Sequence, residues 1–100
     1  MRRWIWQLFA VAMTVQVQVS AYTPYECGGN ISAIGKPCKE GRTCAFNGVP
    51  FGTIIEWRGK HYIVEDRCGF DNVLDIFMES HSEAIKFGRK FNQVIRVYLP

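Results

Sequence analysis

The chain has little that would mark a metalloprotein, a nucleic-acid binder or a membrane protein. It holds only two histidines, His61 and His81, which match no metal-ligand spacing and read as structural or surface residues. Among its four cysteines the closest pair is Cys38 and Cys44, wider than the CxxC pair of a structural zinc site. We therefore expect no metal and no cofactor. The formal net charge is only +3, too mild to point to nucleic acid. Lys86, Arg89 and Lys90 do cluster near a predicted helix end, where cations suit the helix dipole. A basic face would also suit an anionic cell-wall polymer. There is no internal repeat and no low-complexity tract. The apolar stretch Trp4 to Met13 is too short to span a bilayer comfortably.

What is present fits one small domain. The chain has 100 residues, 48% of them hydrophobic and 14% aromatic, enough for a core. A domain this small is marginal without a staple. Cys27, Cys38, Cys44 and Cys68 are an even set, which suggests two disulfides and an oxidising compartment; the pairing is not readable. Arg2-Arg3 followed by WIWQLFAVAM reads as an export signal. Residues 1–13 are thus expected to be a signal peptide or membrane anchor, and residues 14–100 the folded domain. Ala10-Val11-Ala12 and Val19-Ser20-Ala21 both have a small-x-small cleavage pattern. The second would cut into the alternating run Val15 to Tyr22, so the earlier cut, or none, is preferred.

Alternation and turn residues predict about six short strands. The first covers residues 14–22. A long loop follows, with Gly28-Gly29-Asn30, Gly35-Lys36-Pro37 and Gly41. Cys44 to Phe46 is a short strand, and residues 53–65 form a hairpin through Arg58-Gly59-Lys60. Val73 to Phe77 is another strand and residues 93–99 the last. Between them, Ser80-His81-Ser82-Glu83 is a capping box. Ala84, Phe87, Gly88 and Phe91 continue it as a helical stripe, although Gly88 also suits a helix end. The fold class is mainly β: a small barrel or sandwich with one helix before the last strand.

The chemistry centres on YIVEDRCGFDNVLDI, Tyr62 to Ile76. Asp66 ends one apolar run, and Asp75 takes the polar place inside another. Gly69 and the turn pair Asp71-Asn72 let the segment fold back and bring both carboxylates to one wall of a cleft. Paired carboxylates in a cleft are a common apparatus for cleaving glycosidic bonds. Cys68 carries no Cys-His signature of a nucleophile.

Five short motifs occur in a telling order: Ala21-Tyr22-Thr23-Pro24, Pro50-Phe51-Gly52-Thr53, Val64-Glu65-Asp66, Leu74-Asp75-Ile76-Phe77, and Ser80-His81-Ser82-Glu83-Ala84 with Phe87-Gly88-Arg89. In this the chain resembles the three-aspartate (3D) domain of bacterial and phage cell-wall proteins and of the membrane-bound lytic transglycosylase A family, over roughly residues 15 to 99. The resemblance implies a six-stranded double-psi β-barrel, shared with expansins. It implies murein lytic transglycosylation, cleavage of the β-1,4 bond between N-acetylmuramic acid and N-acetylglucosamine to a 1,6-anhydro product. Asp75 would be the catalytic acid and Asp66 a supporting carboxylate. Tyr22 and Thr23 would line the groove, with Asp71 a partial stand-in for a missing acid. The family's first aspartate has no counterpart here, Asn47 being the polar residue in that region, and the loop between the other two aspartates is shorter. The expected partner is peptidoglycan, with no nucleic acid, membrane contact only through the N-terminal segment, and a monomeric state. The expected location is the periplasm, cell wall or exterior.

One Asp can suffice because the muramic acid's own 6-hydroxyl serves as nucleophile. The same residue protonates the leaving oxygen and then takes the hydroxyl's proton. Asp75 must then start protonated; Leu74 and Ile76 limit its solvation and a charged Asp66 pushes the same way. Two other readings compete: a non-catalytic expansin-like wall-binding module, and a secreted interaction protein that reuses the barrel.

Overall fold

The computed structural model describes residues 12–25 and 30–100. The expected export signal, apart from Ala12 and Met13, lies outside the described residues, as does Cys27. Six strands are formed: β1 (Ala12–Tyr22), β2 (Thr43–Ala45), β3 (Ile54–Trp57), β4 (Lys60–Asp66), β5 (Val73–Phe77) and β6 (Lys90–Tyr98). One helix, α1 (His81–Phe87), precedes the last strand. The strands close into a barrel in the order β1, β5, β2, β4, β3, β6. The β1–β5 and β2–β4 pairings are parallel and the other four antiparallel, so this is a mixed, closed six-stranded barrel, in keeping with the mainly β reading.

Period-two alternation builds the interior. Val17 and Val19 of β1, Ile55 and Trp57 of β3, Tyr62 and Val64 of β4, Leu74 and Ile76 of β5, and Ile95 and Val97 of β6 form one buried cluster. Burying each such side chain contributes about 1.5–3 kcal/mol. Closure removes sheet edges, so a three-residue strand such as β2 can be held between two neighbours. The β3–β4 hairpin turns at Arg58 and Gly59, which both have positive φ (51° and 76°), as a two-residue primed turn requires.

α1 has Ser80 at its N-cap, where the hydroxyl accepts from Glu83 N at 3.3 Å. Gly88, at φ 67°, ends it. The helical stripe therefore stops at Phe87, whose ring meets Trp57 edge-on at 5.7 Å. Phe91 is not on the helix: it is 64% exposed on β6, which starts at Lys90 rather than at residue 93 because Lys90 already pairs with Val19. β1 likewise starts at Ala12, paired with Tyr98. Cleavage after Ala21 would remove the strand that joins β5 to β6.

One further expectation needs correction. Cys44 and Cys68 are free thiols, so a two-disulfide staple does not hold this barrel. Their positions explain it: Cys44 is wholly buried in the interior cluster, whereas Cys68 packs on a separate cluster of Tyr22, Cys38, Ala45 and Phe77. Glu65 is buried although strand carboxylates normally face water. It accepts from Thr43 Oγ1 at 2.8 Å and Arg42 Nε at 3.2 Å, and Arg42 Nη2 also donates to Pro37 O.

Candidate active-site groove

The groove lies on the outer face of the barrel, where parallel strands β1 and β5 meet beneath α1. The register places Ser20 opposite Asp75. In a parallel pair, side chains at matched positions share a face, so both point outward. Ser20 Oγ donates a hydrogen bond to Asp75 Oδ1. On the other side, Cys68 Sγ approaches Asp75 Oδ2 at 3.6 Å and donates to Ala45 O and Val73 O at 3.1 and 3.2 Å. Burial, with Asp75 as the nearest charge, pushes the Cys68 thiol up to about 12, so it remains a weak S–H donor at neutral pH.

Asp66 sits at the end of β4. Its Oδ2 accepts from Tyr22 Oη at 3.2 Å, and its Oδ1 accepts from Ala33 N at 3.2 Å and Arg67 N at 3.0 Å. Its oxygens are acceptors in all three bonds, and through Ala33 it fastens the loop that follows β1 onto the groove. A cavity of about 320 Å³ is lined by Asp66, Asp75, Tyr22 and Cys68. The fold-back between the two aspartates thus does bring both carboxylates to one wall. A larger cavity of about 500 Å³ continues on the far side of Asp75, between β1, β5 and α1. The two share Tyr22, Gly69 and Asp75, so Asp75 stands where they join.

The β4–β5 loop is shaped by a residue the sequence reading gave no task. Asn47 Nδ2 donates to Cys68 O at 3.0 Å, and Cys68 N donates back to Asn47 Oδ1 at 2.9 Å. Asn47 also donates to Asp71 Oδ1 at 3.2 Å. Asp71 is therefore an exposed partner of that clasp and lines neither cavity. Arg67 donates to Phe46 O and Val49 O at 2.8 and 2.7 Å and lies over the Phe51 ring at 3.9 Å, which locks the loop's other end.

Tyr22 stands on the wall of both cavities. Thr23 does not: it is wholly buried, lines neither cavity, and its Oγ1 accepts from Tyr25 N at 3.3 Å. Its place is under the turn after β1. Sequence reasoning missed Ser20, whose pairing with Asp75 depends on a parallel register that no local pattern reveals. It gave no site role to His81, which borders the larger cavity together with Arg89 of the basic cluster. The His81 ring packs edge-on against Tyr25 at 5.3 Å.

Among the described residues, no three His, Cys, Asp or Glu side chains are grouped as a metal ion would need. No helix among them is long and apolar enough to cross a membrane. No protein-family model and no curated protein matches the chain.

Proposed function

We propose that this protein is an exported peptidoglycan lytic transglycosylase that cleaves the N-acetylmuramic acid–N-acetylglucosamine bond, with Asp75 as its acid–base residue. The observation that carries this reading is the position of Asp75: held by Ser20, half-exposed, at the junction of two cavities, with Asp66 on the same wall. A glycan strand laid along both cavities would pass over Asp75. Protonated Asp75 would donate to the leaving glycosidic oxygen. The carboxylate so formed would then accept the proton of the muramic acid 6-hydroxyl as that oxygen closes on C1, giving the 1,6-anhydro product. No activated water and no second catalytic carboxylate are needed, which leaves Asp66 to hold Tyr22 and the neighbouring loop in place.

A second reading has its own support. Both Asp75 oxygens have neighbours within the protein, Ser20 Oγ and Cys68 Sγ, and the region of the absent first acid is occupied by Asn47, already committed to the loop. A groove of this kind would also serve an expansin-like module that binds glycan without cutting it.

Digestion of purified peptidoglycan with mass spectrometry of the released sugars separates the two. Anhydro-muropeptides from the wild type and none from Asp75→Asn support the transglycosylase. Reducing-end products mean a hydrolase instead. Retention on sacculi without soluble product supports the binding module, and no retention at all removes both.

A further inference from the structure

The larger cavity has a cation on its wall with no counter-charge among the described residues. Of the three basic residues near the C-terminal end of α1, two are engaged. Lys86 Nζ lies 3.9 Å from Glu83. Lys90 Nζ donates to Phe87 O at 2.6 Å and lies over the Phe87 ring. Arg89 is exposed, borders the larger cavity, and makes no ion pair or hydrogen bond with any described residue. The smaller cavity differs: its arginine, Arg67, is already bonded to Phe46 O and Val49 O, and its free charge is the Asp66 carboxylate. The groove is therefore electrostatically lopsided about Asp75.

The rest of the larger cavity wall supports a ligand with apolar faces as well as charge. Phe70 and Ile85 border it while 73% and 65% exposed. Its volume of about 500 Å³ falls within the roughly 300–1,000 Å³ usual for ligand sites.

We propose that the larger cavity is the subsite for the carboxylate-bearing, peptide-substituted sugar, with Arg89 pairing a carboxylate of the lactyl-peptide arm. The uncharged amino sugar then lies toward Asp66. This rests on the glycan-binding reading above and adds direction and specificity to it: the groove selects strands with a carboxylate on this arm over strands whose arm is capped and uncharged. Guanidinium is suited to the task because its planar fork can take a carboxylate through two parallel hydrogen bonds.

The test is a binding measurement, so it does not depend on turnover. Soluble glycan strands with peptide stems, and the same strands stripped by an amidase and then capped as an amide at the lactyl carboxylate so released, are titrated against wild type, Arg89→Gln and Arg89→Lys. The wild type is expected to bind the peptide-bearing strands about tenfold more tightly, a charge-assisted contact of ordinary strength, and the preference should shrink as salt is raised. Arg89→Gln should abolish the preference by weakening the peptide-bearing strands alone, and Arg89→Lys should restore part of it. Equal wild-type affinity for the two polymers, or a preference that survives Arg89→Gln, overturns the inference and leaves the glycan-binding reading standing. Failure to bind either polymer overturns both.

Discussion

β1 and β5 each have two faces with opposite work. Inward, Val17, Val19, Leu74 and Ile76 fill the barrel. Outward, Gln18, Ser20, Val73 and Asp75 wall the groove. Neighbours such as Leu74 and Asp75 therefore belong to different regimes: the first is held by volume and the exclusion of water, the second by a directed bond across the strand pair. β4 carries a second contrast, in its two acids. Glu65 is buried, tied to Thr43 and Arg42, and serves the fold; Asp66, next in sequence, opens onto the smaller cavity. Residue type alone does not separate these roles; what covers each side chain does.

That contrast can be broken most sharply on β5. Asp75→Asn should lower glycan cleavage by about 10²–10⁴-fold, the usual share of general acid–base help, with little change in the urea midpoint. Leu74→Ala should do the reverse: a wholly buried leucine lost to a cavity costs about 2–5 kcal/mol, read from denaturant unfolding. If Asp75→Asn unfolded the protein, or Leu74→Ala cost nothing, the division of the strand into two faces would be wrong.

On β4 the expected effects are smaller. Glu65→Gln keeps an acceptor for Thr43 but loses the charge, and should cost about 1–3 kcal/mol. The figure stays below that of a fully buried pair because the Arg42 side chain is 36% exposed and water can take up its released charge. Asn47→Ala should cost about 1–2 kcal/mol through its lost bonds to the β4–β5 loop. It should also reduce glycan binding, since that loop carries Cys68, Gly69 and Phe70 to the groove; retained binding would show that the loop holds its shape unaided.

At neutral pH the smallest effect is that of the thiols, which enters only as the pH is raised. Burial raises the Cys68 thiol from 9.0 to about 12, and Cys44 is shifted in the same direction. Below pH 9 both thiols are protonated in the folded and unfolded chains alike, so their contribution to stability is constant there. Above pH 9 the unfolded chain sheds these protons first, so stability should fall between about pH 9 and 12. Denaturant titrations across that range check the sign. At pH 8, alkylation should be slow in the folded protein and fast in urea; rapid alkylation of the native protein would contradict the burial.

Much of the fold is legible because it is local. Val15-Gln16-Val17-Gln18-Val19 alternates, the Arg58-Gly59 turn closes a hairpin, and Ser80 with Gly88 brackets the helix. The start of β6 was misplaced because Lys90 and Phe91 carry helical spacing, while the partner that makes them strand, β1, is far away in the chain. The expectation of two disulfides failed at Cys44 and Cys68 because an even cysteine count says nothing about which side of a sheet each sulfur occupies. Asp66 and Asp75 were legible as acids in apolar runs. Ser20 was not, and neither was the clasp made by Asn47 or the cavity beside Arg89, because each depends on a partner or wall distant in sequence.

By itself, then, the order of residues determined the strands, the turns, the single capped helix and the two acids beside a foldable loop, since alternation, φ preference and capping act over a few residues. Tertiary structure alone decided that β1 and β5 run parallel with Ser20 opposite Asp75, that Glu65 is covered by Thr43 and Arg42 while Asp66 opens onto the smaller cavity, and that Arg89 borders the larger one. Those outcomes depend on barrel closure, which sets the register between segments distant in the chain and fixes which face of each strand is left to water.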